Sequence, residues 1–313
     1  MKYHPGKWLS SNGFRKTYTH VTTDKQFYDE IYSTADDSSD NDCGHEINAY
    51  YNGVAGIVNI DFNLDYFQNG KRDYSLVKEV SENYENRDVH SVGDVKNRLA
   101  AGKLIVSLPL GKGTLAAGSE VTYTHRNDNY LNEENYVPTS RSRLEEMNAA
   151  GFVEYDLNFP WGDWSVGMRY EHDKFDYYED EQHIDEQSRT FDNFFPHLSF
   201  STTWKELQTQ LSYTAKTVRP SYSQLSNNVS YSDRFTLQKG TPTLRPTIIH
   251  DVSLAAVWKW LQLSLSYSRT KNWILYWGEL TEADGSQTML SYRNWDEPIP
   301  AFSAFLSASP KIG

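Results

Sequence analysis

Glu154 and Asp156 sit two residues apart, which in an extended chain puts both carboxylates on one side about 7 Å from each other. That separation suits the acid and base of a glycosidase. Similar pairs recur along the whole chain, however, and such repetition describes a polar strand face better than one catalytic centre. The nine histidines are scattered. His172 and His183 stand beside acidic residues, where a surface-loop role is expected before a metal site. Residues 37–46, DSSDNDCGHE, offer Asp40, Asp42 and Glu46 as oxygen donors around Gly44. They lack the twelve-residue spacing and bidentate Glu of a calcium loop. A solvated acidic loop is expected, with these three residues as weak metal candidates. No Walker loop, His-Glu-x-x-His, Gly-x-Ser-x-Gly or dinucleotide fingerprint occurs. No catalytic residue and no cofactor is therefore assigned.

The elements that carry these side chains are strands. In the stretch from Val58 to Tyr66, Val58, Ile60, Phe62, Leu64 and Tyr66 alternate with Asn59, Asp61, Asn63 and Asp65. The same period of two runs through Val153–Phe159, Trp164–Tyr170, Val252–Trp258 and LQLSLSYSRT (261–270). Each strand thus keeps one apolar and one polar face along its length. Tight connections are predicted at NGKR (69–72), LGKG (110–113), PWGD (160–163), WKE (204–206) and WKW (258–260). Between them lie longer polar segments at 29–46, 126–141, 175–188 and 219–243. About eleven or twelve strands follow from this punctuation. Short turns at one end and long loops at the other describe a meandering antiparallel barrel across an outer membrane. Trp161, Trp164, Trp204, Trp258 and Trp260 gather at the tight-turn end. Indoles there are expected to form an interfacial girdle on the periplasmic side.

Composition agrees. Of 313 residues only 38% are hydrophobic, yet 14% are aromatic, with 22 tyrosines. That balance fits a protein with two solvents and an interface between them. The net charge of −12 argues against nucleic acid as a partner. Cys43 is the single cysteine, so no intrachain disulfide can form. The opening MKYHPGKWLS has no apolar core and is not expected to be a signal peptide.

One segment carries a specific resemblance. Residues 219–250 read RPSYSQLSNNVSYSDRFTLQKGTPTLRPTIIH. TonB-dependent outer-membrane receptors end a barrel strand in Arg-Pro, run through a loop with Leu, Tyr and Asp, and re-enter through Gly-x-Pro-x-Leu-x-Pro. The matching positions are Arg219, Pro220, Tyr222, Leu225, Tyr231, Asp233, Gly240, Pro242, Leu244 and Pro246. PLGKGTLAAGSEVTYTHRNDNY and EYDLNFPWGDWSVGMRYE resemble the barrel of the Bacteroidetes-type subfamily, as does FFPHLSFSTTWKELQTQLSYT. Thr241 departs from the usual Asn and Thr247 from the common Glu. The resemblance covers about 47–295. Physically, Pro220 releases the strand because it has no N–H to donate, and Gly240, Pro242 and Pro246 shape the return. The motif is therefore expected to set loop geometry and need not touch a ligand.

The resemblance implies a barrel of about 22 strands around an N-terminal plug that contacts TonB. Residues 1–313 read as a single partial barrel domain with no plug, about half of such a structure. The implied function is uptake of a scarce solute, such as a siderophore, glycan or peptide, across the outer membrane of a Gram-negative bacterium. Outer-membrane lipid, the TonB complex through the plug and a surface lipoprotein are the implied partners. Tyr178, Tyr222 and Tyr231 have ring faces that suit sugars or chelates. A plugless channel or structural barrel is the alternative reading. A soluble, secreted glycan-binding β-protein is another; it requires the apolar faces to stack against a second sheet. An enzyme is not expected.

Overall fold

Strict alternation gives every strand two unlike faces, and the fold depends on what covers each. The computed structural model describes residues 7–21, 26–41, 44–281 and 287–310. Its first half runs through β1 (Lys7–Val21), β2 (Gln26–Asn41), β3 (His45–Ala55), β4 (Val58–Ser81), β5 (Arg87–Leu110) and β6 (Gly113–Asn132). Next come β7 (Ser140–Phe159), β8 (Gly162–Glu179), β9 (Gln182–His183), β10 (Arg189–Trp204) and β11 (Leu207–Val218). After a one-turn helix, α1 (Tyr222–Leu225), follow β12 (Val229–Asp233), β13 (Thr236–Lys239), β14 (Thr247–Trp258) and β15 (Leu261–Lys271). The last strands are β16 (Trp273–Leu280), β17 (Thr288–Trp295) and β18 (Ile299–Ala308).

Twelve strands form one antiparallel path in the order β1-β2-β4-β5-β6-β7-β8-β10-β11-β14-β15-β18, matching the expected count. Strand β4 is long enough, at 24 residues, to pair with β3 along its first half and β2 along its second. The strands missing from this path belong mostly to two long connections. Residues 219–246 supply β12 and β13, and residues 272–298 supply β16 and β17; together they make a second, four-stranded sheet. Its β13–β17 pairing is parallel.

Four of the five expected tight turns form where the sequence places them. The fifth does not: NGKR lies inside β4, and the turn falls at Gly56–Ile57, where Gly56 takes a φ of 66°. Polar residues at 69–72 mimic a turn, but the strand has left the apolar zone there and continues through water. For the same reason 29–46 is mostly β2 and β3, and strands β6 and β8 run on into the segments expected as loops at 126–141 and 175–188.

The apolar series stays uncovered. Val121, Val153, Val166, Met168, Leu198, Leu211 and Val252 are each more than two-fifths exposed. The second sheet instead rests on the polar face, at the long-loop end. Two buried clusters join it there: Val77, Val89 and Val137 with Tyr231 and Leu237, and Leu144, Phe175 and Tyr177 with Leu225 and Leu244.

Candidate functional site

The polar face of the large sheet carries Asn63 and Asp65 on β4, Glu154 on β7, Gln208 and Gln210 on β11, and Ser264 and Ser266 on β15, in register across the strands. Beyond the apolar zone this face becomes a bed of carboxylates. Glu146 on β7 and Glu171 and Asp173 on β8 converge on Arg219, whose guanidinium lies 3.1 Å from Glu171, 3.1 Å from Asp173 and 4.0 Å from Glu146. Tyr222 donates its hydroxyl to Glu146 at 2.5 Å. Burial, and then the negative charge of Glu146, push the Tyr222 phenol up, so it stays a donor at neutral pH. Asp173 lies beyond Tyr170, where the outward apolar run of β8 ends. Burial and the neighbouring Glu146 push its carboxyl up to about 6, against the pull of Arg219.

A second anchor lies across the sheet. Glu79, fully buried at the end of β4, accepts from the Arg234 backbone at 2.8 Å and from its guanidinium at 2.9 Å. Tyr231 also donates to Glu79, at 3.1 Å, and its hydroxyl accepts from Arg87 at 3.3 Å. Burial raises the Tyr231 phenol, and Glu79 adds to it.

All ten residues of the Arg-Pro to Pro stretch lie in this region. Arg219, Tyr222 and Tyr231 make the contacts above, and Leu225 and Leu244 enter the second cluster. Buried Asp233 accepts from the Phe235 N–H at 2.9 Å. Ser221, one residue after Pro220, caps α1, its hydroxyl accepting from the Gln224 N–H at 3.3 Å. Pro242 and Pro246 are buried beside Leu244. Gly240 has no room for a side chain, because a Cβ would collide with the carbonyl oxygens of Ser226, Gln224 and Ser223. Between this loop and the polar face lies a cavity of about 390 Å³, bordered by Asp73, Ser91, Arg126, Asp128, Asn228 and Lys239. Asn228 donates to Asp128 at 2.7 Å across it.

The other expected residues sit elsewhere. Trp161, Trp164, Trp204, Trp258 and Trp260 all lie at or beside the tight turns. Trp164 meets Phe200 at 4.5 Å, and Trp161 stacks on Phe159 at 5.2 Å. Tyr178, unlike Tyr222 and Tyr231, is on the outward parity of β8, with the Arg143 guanidinium over its ring at 4.0 Å. Asp40 is in β2 opposite Arg72, and Glu46 is in β3 opposite Phe67; Asp42 and Cys43 lie outside the described residues. The one group of metal-ligating type among the described residues is different: His90, Glu133 and Glu134 bring ligand atoms within 4.8 Å of each other. There His90 Nδ1 and Glu134 are 2.6 Å apart, and this hydrogen bond holds the His90 pKa above its ordinary value.

Sequence reasoning missed a second aromatic rim. The outward series end, toward the long loops, at Tyr66, Tyr123, Tyr170, Phe194, Tyr267 and Phe302, just before polar or charged residues, or Pro300 on β18, and Tyr213 holds the same level on β11. The signal was present, as the last apolar member of each alternation, but lining these residues up requires the register.

An antiparallel wall with bare apolar and loop-covered polar faces defines an outer-membrane β-barrel. Residues 58–300 match the outer membrane protein beta-barrel family, and the chain belongs to it. The fold is similar to the copper transporter OprC, with a TM-score of 0.53 and 10% identity over 96% of this chain and 57% of that one. It is equally similar to BauA, the ferric preacinetobactin receptor from Acinetobacter baumannii, with a TM-score of 0.52 and 9% identity over 99% of this chain and 54% of that one. At such identities the likeness is one of fold. This chain spans little more than half the length of either protein. No curated protein matches it.

Proposed function

We propose that this chain supplies barrel wall and extracellular loops to a TonB-dependent receptor that takes up a scarce solute across the outer membrane. One observation carries the reading: the second sheet is seated on the polar face, while the apolar face is left for lipid. That arrangement also counts against the soluble sandwich, which needs a cover on the apolar side. The Arg219 and Glu79 anchors hold the loops over the aqueous interior, where an entering solute meets them. The Arg-Pro to Pro stretch acts as this anchor, and the five tryptophans form the periplasmic-side girdle. A plug and its contact with TonB belong to the reading of the whole protein, as does a lipoprotein partner at the surface.

Growth on limiting nutrients tests it, using strains lacking the protein, lacking TonB, or lacking both. A receptor is expected to give equal, non-additive losses on the same nutrient. A growth loss that appears without the protein but not without TonB would point to the plugless channel instead.

A further inference from the structure

The face turned toward lipid does not end at the rim of Tyr66 and Tyr123. Strands β4 to β7 continue past it, and β4, β5 and β7 carry basic residues at outward positions there. Arg72 on β4 keeps the parity of Val58 to Tyr66. Lys96 and Arg98 on β5 keep that of Leu104 and Val106, and Arg141 and Arg143 on β7 that of Met147 and Val153. Arg98 is the first outward residue beyond Ala100, whose cross-strand neighbours are Tyr66 and Tyr123. Between these long side chains the outward residues Gly70, Asn127 and Asn129 are small. Two hollows result, of about 760 Å³ and about 280 Å³, sharing Lys96 and Asn127 on their walls.

Charge is unevenly spent here. Arg72 is held by Asp94 at 2.6 Å, and Arg143 by Glu181 at 3.0 Å. Asp180 also borders the larger hollow. Lys96, Arg98 and Arg141 make no ion pair with any described residue. On the outward face of β8 the cations at this level are matched, His172 with Asp192 at 2.8 Å and Lys174 with Asp176 at 2.6 Å, whereas Arg269 and Lys271 on β15 stand apart from any hollow of this kind. Arg141 borders the larger hollow, Arg98 the smaller and Lys96 both, so three cations without an ion pair surround the adjoining hollows on a chain whose net charge is −12. Their place, one step beyond the hydrocarbon rim, is the depth of lipid headgroups.

We infer that these two adjoining hollows, joined at Lys96, bind the phosphate head of an anionic outer-leaflet glycolipid, with Lys96, Arg98 and Arg141 as its ligands and the acyl chains lying against Leu104, Val121 and Val153 below. The inference depends on the apolar face meeting lipid and is independent of solute uptake, so either can fail without the other.

The test uses the full chain in a neutral maltoside detergent, titrated separately with a diphosphorylated disaccharide glycolipid and with inorganic phosphate. The glycolipid is expected to bind, and the Lys96→Gln/Arg98→Gln/Arg141→Gln variant to weaken it at least about tenfold. Asp94→Asn, which removes a competing carboxylate, is expected to tighten binding, and Arg269→Gln/Lys271→Gln on distant β15 to leave it unchanged. Heat-dependent gel mobility reports whether each variant folds. Equal binding by a folded triple variant overturns the site. Inorganic phosphate binding as tightly as the glycolipid overturns the lipid assignment and leaves a free-anion site. If the triple variant does not fold, the Asp94→Asn and glycolipid-against-phosphate comparisons still decide.

Discussion

Asp173 and Glu79 are buried carboxylates with opposite consequences. Asp173 shares its ground with Glu146 and Glu171, and its carboxyl rises from the ordinary 3.8 to about 6 despite Arg219 and Arg189. A raised folded-state value means that the folded chain holds this proton more tightly. The stability it contributes is full below about pH 4 and is lost as pH rises through about 6. The melting temperature in detergent is therefore expected to fall across that window, and Asp173→Asn to flatten the step. An unchanged slope in the variant would refute the assignment. Glu79 is held by Arg234 and Tyr231. Glu79→Gln leaves the Arg234 charge buried without its partner, a loss on the order of 3–5 kcal/mol. Faster hydrogen exchange in β12 and β13 is the expected readout, and protection equal to wild type would show that the pair does not hold the loop.

Elements explain why the anchor could be found in the sequence but not drawn from it. Gly240, Pro242 and Pro246 were legible as a controlled re-entry, because Pro has no N–H and limited dihedral freedom. The reason for Gly240 was not legible, since three carbonyls from residues 223–226 crowd it only after α1 has folded back. Gly240→Ala is expected to displace that turn. Limited proteolysis should then cut within 219–246 at protease concentrations that spare the wild type, and identical cleavage patterns would count against this. The Gly56–Ile57 turn was missed because NGKR offered a stronger polar signal. Strand length decided the matter: β4 and β5 pair without a break from Asn59 to Glu79, through membrane and water alike.

For the whole molecule, the central feature is which face meets lipid. Val166 lies mid-series between Trp164 and Tyr170 and is 47% exposed. Val166→Arg is expected to cost about 2–4 kcal/mol of stability in a bilayer, read as a lower denaturant midpoint in vesicles. No change there would show that lipid does not touch this position. With Cys43 replaced by Ser, Ser266→Cys should react with a water-soluble maleimide in membranes, while its neighbour Leu265→Cys should not. The reverse order would turn the wall inside out.

The sequence by itself determined the alternating cores of the wall strands, the parity of their faces, four of the tight turns and the bounds of the Arg-Pro to Pro stretch. These are local properties, written in a period of two and in the special backbones of Gly and Pro. Only the tertiary structure decided that the two long connections join into one sheet, that this sheet lies on the polar face, and that Glu79 meets Arg234. Those pairings join residues from about fifty to more than 150 positions apart. Strand register and loop packing bring them together, and neither leaves a signature in a single stretch of chain.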